Sequence, residues 1–129
     1  MYPELKRKVV EAKPSYRQEE ILWLLEHIGD PSPEIRDELV FTSLARGIQE
    51  ELFTKEQFQL IAAMIVSDGG LDKDIDKAGA STLERSFRAL IYANLLFADG
   101  NQQSLFYQLL KTDIRITLLD QGLHYLEKE

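Results

Sequence analysis

Apolar residues recur at intervals of three and four along most of the chain, the spacing that places them on one face of an α-helix. No segment shows the sustained alternation of apolar and polar residues that is typical of a β-strand. The pattern therefore predicts an all-α fold. The apolar stripes are Leu5, Val9 and Ala12; Ile21, Leu24, Leu25 and Ile28; Ile35, Leu39, Leu44 and Ile48; Phe58, Ile61, Ala62 and Ile65; Phe87, Leu90, Ile91, Leu95 and Ala98; and Ile114, Leu118, Leu119, Leu123, Tyr125 and Leu126.

Capping residues and prolines predict where these helices begin. The first helix runs from Pro3 to Ala12 and is stopped by Pro14. Asp30 or Ser32 caps the third helix. Further capping boxes, in which two polar side chains satisfy amides that a helix start leaves unpaired, are predicted at residues 15–18, 54–57 and 81–84.

Glycines and polar stretches predict the helix ends and the connections. The third helix either ends at Gly47 or continues, with a glycine that weakens it, to about Glu51. Residues 68–80 contain four Asp and three Gly, and we expect them to form the longest exposed loop. Asp99-Gly100-Asn101 ends the central helix, and Ser104 to Lys111 are predicted to form a short helix. The chain should therefore contain about six or seven antiparallel helices.

A weak internal repeat refines this architecture. An offset of 51 residues places Leu39-Val40-Phe41 on Leu90-Ile91-Tyr92 and Leu44 on Leu95, inside helices that each follow a turn. Such a unit is slightly longer than the roughly 40–47 residues of HEAT or armadillo repeats. Stacked helix pairs cover one another's apolar faces, so we expect a HEAT-like helical repeat, an α-α superhelix, that forms a single domain over residues 1–129. The alternative is a generic helical bundle with an accidental similarity.

Three stretches together resemble a known family. They are HIGDPSPEIRDEL at residues 27–39, LARGI at 44–48 and RSFRAL at 85–90, and the combination is similar to the bacterial family called "domain of unknown function 2785". The match covers roughly residues 20–127. The resemblance implies an all-α, HEAT-like curved array and no assigned activity.

The resemblance covers the N-terminal part of the family only. Family members continue past the point that matches residues 125–127 into a segment with a Gly-Trp-His-containing motif. A stack that stops there leaves its last helix uncovered, which predicts self-association, in the form of a homodimer, through residues 114–126. The residues expected to contribute are Ile114, Leu118 and Tyr125.

Composition and charge exclude several classes of function. The chain has no Cys, no apolar run near the ~18 residues of a membrane span, and charged residues where a signal peptide needs apolar ones, which predicts a cytoplasmic protein without membrane association. The net charge is −7, yet residues 1–17 carry five basic and two acidic residues, a net +3. We interpret this small basic strip as the solvated face of the first helix rather than as a nucleic-acid-binding surface, because it lacks aromatic interleaving.

No catalytic or metal-binding pattern is complete. Asp72, Asp74 and Asp76 imitate the start of a calcium loop, but Lys77 stands where glycine is required. The two histidines, His27 and His124, have no partner at ligand spacing, and we expect His27 to interact with the last carbonyls of its helix. Nucleophile-elbow and phosphate-binding motifs are absent from the sequence, so we predict no catalytic residues, no metal and no cofactor.

Five polar residues remain as candidates for binding. Arg36 and Asp37 occupy one helix start, and Arg85 and Ser86 occupy the next, so they form either an ion-pair ladder between repeats or a polar groove that receives a peptide. Asn94 interrupts the apolar stripe of the central helix and needs a partner, either internal or a ligand. We therefore predict a noncatalytic scaffold that binds a protein, with an enzyme or small-ligand-binding protein that uses these five residues as the alternative.

Overall fold

The chain is all-helical, as predicted. The computed structural model describes the backbone of residues 1–67 and 80–128 and the side chains of residues 1–67 and 87–123. Within these ranges regular secondary structure is helical throughout, without a strand. The elements are α1 (Tyr2–Lys8), α2 (Gln18–Glu26), a π-helical segment (Glu34–Phe41, the π segment), α3 (Thr42–Gln49), α4 (Lys55–Ser67), α5 (Ala80–Gly100) and α6 (Thr112–Lys128).

Helices that are two apart along the chain pack side by side and form two rows. Helix α4 lies between α2 and α6 in one row, and α3 packs against α5 in the other. The rows meet where α5 contacts α4 and α6. Helices α3 and α5 run in the same direction, because Phe41 lies beside Phe87 at one end and Gln49 bonds Asn94 at the other.

One apolar cluster fills the space between the rows. Its fully buried members include Leu5 of α1, Phe58 of α4 and Leu118 of α6, so that the helices at both ends of the chain contribute to it. Phe106, from the connection between α5 and α6, stacks on Phe58 with the ring centres 4.4 Å apart. Burial of this ring anchors an otherwise irregular connection to the core.

The aligned positions of the internal repeat are buried in two of the four cases compared. Val40 and Ile91 are both buried, and so are Leu44 and Leu95. Leu39 is buried, however, whereas its counterpart Leu90 is 49% exposed. The two copies therefore agree at Val40 and Leu44, in the π segment and α3, and differ at Leu39.

The third predicted helix is continuous, but its first half is π-helical. A π-helix has wider turns than an α-helix, because its backbone hydrogen bonds join residues five apart. At its end the hydroxyl of Thr42 donates to the carbonyl oxygen of Asp37 at 3.1 Å. Apolar periodicity did not reveal this local change of helix type.

Two capping boxes differ in outcome. At Thr54 and Gln57 both reciprocal bonds are present, at 2.9 and 3.1 Å, which confirms the predicted box. The box predicted at residues 15–18 was wrong: the N–H of Arg17 donates to Glu20 Oε1 at 2.8 Å, and the helix begins after Arg17. Side chains of the box at 81–84, like most of the predicted loop at 68–80, lie outside the described residues.

Gly47 lies inside α3 because a phenylalanine ring occupies the space beside it. A Cβ atom at this position would lie 2.2 Å from ring carbons of Phe53. The helix continues past Gly47 and ends at Gln49, and Glu51 then reverses the chain with a positive φ of 58°. The observed end therefore lies midway between the two predicted ends, and the helix does include the glycine.

Two other predicted helices differ from the structure. Helix α1 ends at Lys8 rather than Ala12, because the carbonyl oxygens of Val9 and Ala12 accept hydrogen bonds from the Arg46 guanidinium at 2.7 and 3.1 Å. Ser104 to Lys111 form turns instead of a helix, and Gln108 has a positive φ of 55°. In both places side chains from elsewhere in the fold bind the backbone.

Candidate functional site

Arg36 and Asp37 of the π segment bind each other. The Nε of Arg36 donates to Asp37 Oδ1 at 2.7 Å, and a terminal nitrogen donates to Oδ2 at 3.3 Å, which raises the pKa of Arg36. The guanidinium also lies 5.7 Å from the centre of the Phe87 ring, a cation–π distance. Only 12% of the Arg36 side chain is exposed. The pair therefore connects the π segment to α5 and leaves little of Arg36 for a ligand.

Asn94 has internal partners on both sides of its amide. Its Nδ2 donates to the carbonyl oxygen of Leu90 at 3.1 Å, and its Oδ1 accepts from Gln49 Nε2 of α3 at 2.7 Å. It lines a shallow cavity of about 120 Å³ together with Phe97 and Ser104. Of the two roles predicted for Asn94, the internal hydrogen bond is the one present.

The structure does not bring the described members of the predicted polar site together. Phe87, which contacts Arg36, precedes Asn94 by seven residues of α5, a rise of about 10 Å. The cavity lined by Asn94 does not include Arg36 or Asp37. The side chains of Arg85 and Ser86 lie outside the described residues.

His27 caps the end of α2, as predicted. Its Nδ1 donates to the carbonyl oxygen of Trp23 at 2.7 Å, and the two rings stack with their centres 3.8 Å apart. Trp23 also lies 6.1 Å from the ring of Tyr2. Trp23 and His27 therefore join α1 to α2.

The basic strip near the N-terminus is largely paired with carboxylates. Four of its members form ion pairs: Lys6 with Glu34 at 3.1 Å, Arg7 with Glu11 at 3.5 Å, Lys8 with Glu20 at 2.7 Å and Arg17 with Glu19 at 2.8 Å. Glu20 is fully buried. Burial by itself raises the pKa of its carboxyl group, but the hydrogen bonds from Lys8 and Arg17 outweigh burial, so that the pKa lies below its usual value. Little unneutralised positive charge remains here for a nucleic-acid backbone.

Asp99 and Arg115 form a further ion pair, which the sequence did not indicate. Arg115 donates to both carboxylate oxygens of Asp99, at 2.7 and 3.1 Å, and to the carbonyl oxygen of Leu110 at 3.0 Å. The N–H of Leu110 donates to the same carboxylate at 2.9 Å. Burial raises the pKa of Asp99, but these hydrogen bonds and the charge of Arg115 outweigh it and lower the pKa. Asp99 was predicted only as part of a helix-ending turn.

This pair forms part of the wall of an open cavity of about 540 Å³ between the end of α5 and the start of α6, which Tyr107 and Thr112 also line. Both oxygens of Asp99 already accept hydrogen bonds, so the carboxylate has no free base function to offer a substrate. The geometry stabilises the connection from α5 to α6.

Large apolar side chains are exposed mainly in the C-terminal part of the chain. Of the ten that are exposed among the described side chains, seven lie between residues 90 and 123. They are Leu90, Phe97, Leu105, Tyr107, Ile116, Leu119 and Leu123. Phe97, at 73%, is the most exposed of these seven. Three of them, Ile116, Leu119 and Leu123, share one face of α6, and exposed apolar residues that lie together are typical of interaction surfaces.

The residues predicted to mediate self-association do not form the exposed face of α6. Leu118 is fully buried, and Ile114 packs against the core. The side chain of Tyr125 lies outside the described residues. Ile116, Leu119 and Leu123 are exposed instead, because Gln121 bonds Tyr92 of α5 and turns the opposite side of the helix outward. The prediction chose residues by hydrophobicity, which does not distinguish the two faces of α6.

Among the described residues, no group of three or more His, Cys, Asp or Glu side chains has the arrangement of a metal site. In the same part of the chain, every helix is too short or too polar to cross a bilayer. Comparison of the chain with models of protein families, with curated proteins and with solved structures finds no match. The site must therefore be interpreted from its own geometry.

Proposed function

We propose that this chain is a noncatalytic helical-repeat protein that binds another protein through its C-terminal surface. The observation that carries the proposal is the concentration of exposed apolar side chains between Leu90 and Leu123. Ile116, Leu119 and Leu123 lie together on one face of α6, and exposed apolar residues grouped in this way commonly serve binding. The absence of cysteine fits a reducing cytoplasm as the place of action.

The packing of alternate helices supports the repeat architecture. In stacked helix pairs each helix contacts its own partner and the equivalent helix of the next pair. Contacts of α4 with α2 and α6, and of α3 with α5, follow this rule. The resemblance to the "domain of unknown function 2785" family would fit the same architecture. Ile116, Leu119 and Leu123 lie on a face of α6 that no described helix covers.

The alternative, a ligand-binding protein or enzyme with a polar pocket, finds less support. Arg36 is occupied by Asp37 and Phe87, and Asn94 is occupied by Gln49 and Leu90. Arg36 contacts α5 at Phe87, seven residues before Asn94, so the two side chains share no pocket among the described residues. We therefore favour the interaction surface over catalysis.

Site-specific photo-crosslinking in the native cell tests the proposal. A photoreactive phenylalanine analogue replaces either Phe97 or Leu119, and in matched controls it replaces the exposed Lys13 or Glu26. We expect protein adducts at positions 97 and 119 and none at 13 and 26. Failure to form adducts at both C-terminal positions, or equal adducts at all four, would overturn the proposal.

A further inference from the structure

Three exposed side chains of α6 have the spacing of a coiled-coil seam. Ile116, Leu119 and Leu123 are separated by three and then four residues, which corresponds to consecutive a, d and a positions of a heptad. Their side chains are 59%, 50% and 62% exposed. The seam extends along α6 for about 10 Å, or two helical turns. An exposed seam of this form is suited to packing against a second helix.

One edge of the seam carries negative charge that no described side chain neutralises. Asp113 and Asp120 lie seven residues apart on the same side of α6, both exposed, and neither has an ion-pair partner among the described residues. With Ile116 at an a position, both aspartates occupy e positions, where charge selects the partner of a coiled coil. Glu50, in contrast, is an exposed acid that is paired, with Arg46 at 2.8 Å.

The other edge offers no comparable charge. Arg115, at the g position beside Ile116, is held by Asp99 and by the carbonyl oxygen of Leu110. The following g position is Gly122, beside which no atom lies within 4 Å. The seam is therefore apolar in the middle, acidic on one edge and neutralised or empty on the other.

From this juxtaposition we propose that the outer face of α6 binds an amphipathic helix of another protein, with Leu or Ile on its apolar face and Lys or Arg along one edge. The inference rests on the proposed protein-binding function and specifies its surface and partner. Aliphatic side chains of the partner would fill the spaces around Leu119, and its cations would neutralise Asp113 and Asp120.

A second copy of the chain fits this face less well. In an antiparallel pair of α6 helices, e positions face e positions, so Asp113 and Asp120 of the two copies would repel each other. In a parallel pair Asp120 would face Arg115, which Asp99 already holds. Each copy also carries a net charge of −7. A basic partner removes these repulsions.

Two synthetic peptides of three heptads test the inference on the full chain. Both have Ile at a and Leu at d, and they differ only in having Lys or Glu at every e and g position. Fluorescence anisotropy titration should show the Lys peptide binding more tightly by about tenfold or more, with the difference shrinking as salt screens the charges.

Variants of exposed residues locate the binding site. Leu119→Asp should weaken binding of the Lys peptide by about tenfold or more, because it puts a charge in the seam. Asp113→Lys combined with Asp120→Lys should reverse the preference, so that the Glu peptide binds more tightly. Val10→Asp, at a position that is 82% exposed, and Glu26→Lys on α2 are matched controls and should leave binding unchanged.

Circular dichroism of each variant verifies folding. If Leu119→Asp unfolds the chain, the combined Asp113→Lys and Asp120→Lys variant is used alone to test the inference. Equal binding of both peptides, no binding of either, or binding that ignores the α6 variants would overturn the inference. So would a dimer in sedimentation that Leu119→Asp dissociates, because a second copy would then occupy the seam. If crosslinks form at position 97 while the peptides do not bind, this inference fails and the proposed function stands.

Discussion

Among single residues, Asp99 makes the largest number of contacts that hold the α5 to α6 connection. Its carboxylate binds Arg115 and the N–H of Leu110, and its carbonyl oxygen accepts the N–H of Gln108 at 2.8 Å. These bonds replace the helical hydrogen bonds that residues 104–111 lack. One buried carboxylate thereby organises a segment whose own sequence favours a helix.

Asp99→Asn should lower the free energy of unfolding by about 2–3 kcal/mol. Removing one member of a buried ion pair costs about 3–5 kcal/mol, and Arg115 is one-third exposed, so the expected loss is smaller. Urea denaturation at pH 7 measures it. Asp120→Asn is the matched control, because Asp120 is exposed and has no ion-pair partner among the described side chains, and it should change stability by less than about 0.5 kcal/mol.

The stabilising effect of Asp99 should depend on pH. The pKa of Asp99 is lowered in the folded chain, so its contribution to stability is present above the pKa of the unfolded state and is lost as the pH falls through the folded-state value. The stability difference between the natural chain and Asp99→Asn should therefore be constant above about pH 5 and shrink below about pH 4. A difference that grows on acidification would contradict this account.

Two glycines in helices should respond in opposite ways to alanine. Gly47→Ala places a methyl group against the buried ring of Phe53 and should destabilise the chain by about 1–3 kcal/mol. Gly122→Ala meets no atom within 4 Å and should stabilise it by about 0.5–1 kcal/mol, because alanine is the better helix former. Thermal denaturation of both variants would detect the opposite shifts in Tm, and shifts of the same sign would refute the prediction.

At the scale of elements, the sequence predicted correctly those features that depend on residues close together in the chain. Thr54 and Gln57 form their capping box because both partners lie within one helical turn. By contrast, the early end of α1 depends on Arg46, which is 34 residues or more away from the carbonyl groups it binds. Apolar spacing cannot reveal such contacts, and it does not distinguish the π segment from an α-helix.

The candidate site was predicted less well than the fold, for a related reason. Arg36 was chosen for its place at a helix start and Asn94 because it interrupts an apolar stripe, and both prove to bind neighbouring side chains. The exposed seam on α6 was missed because Leu118 and Leu119 are equally apolar in the sequence. Only the packing of α6 against α4 and α5 determines which of them faces outward.

The orientation of α6 is therefore testable by a pair of adjacent leucines. Leu118→Ala should cost about 2–4 kcal/mol, because Leu118 is fully buried and its truncation leaves a cavity. Leu119→Ala should cost less than about 0.5 kcal/mol, because half of its side chain is already exposed. Urea denaturation of both variants measures the difference, and equal losses would mean that α6 is rotated relative to this structure.

At the scale of the whole molecule, the two rows share one core. Helix α4 lies between α2 and α6 and connects them to one core, because its residues Phe58, Ile61 and Ile65 belong to the common cluster. Extended repeat arrays can lose cooperativity when each unit is stabilised only by its neighbours. In this chain the buried cluster extends from Leu5 to Leu118, which favours a single cooperative unit.

Coupling between the two ends of the fold follows from this shared core and can be measured with the single tryptophan. Trp23 on α2 reports the N-terminal end through its contacts with His27 and Tyr2, whereas circular dichroism reports all helices. Leu118→Ala on α6 should move the urea midpoints of both signals downward by the same amount, because loss of core packing at one end destabilises the whole cluster. If the tryptophan transition stayed in place while the dichroism midpoint fell, α6 would unfold separately, and binding at its outer face could then be coupled to local folding of the C-terminal helix.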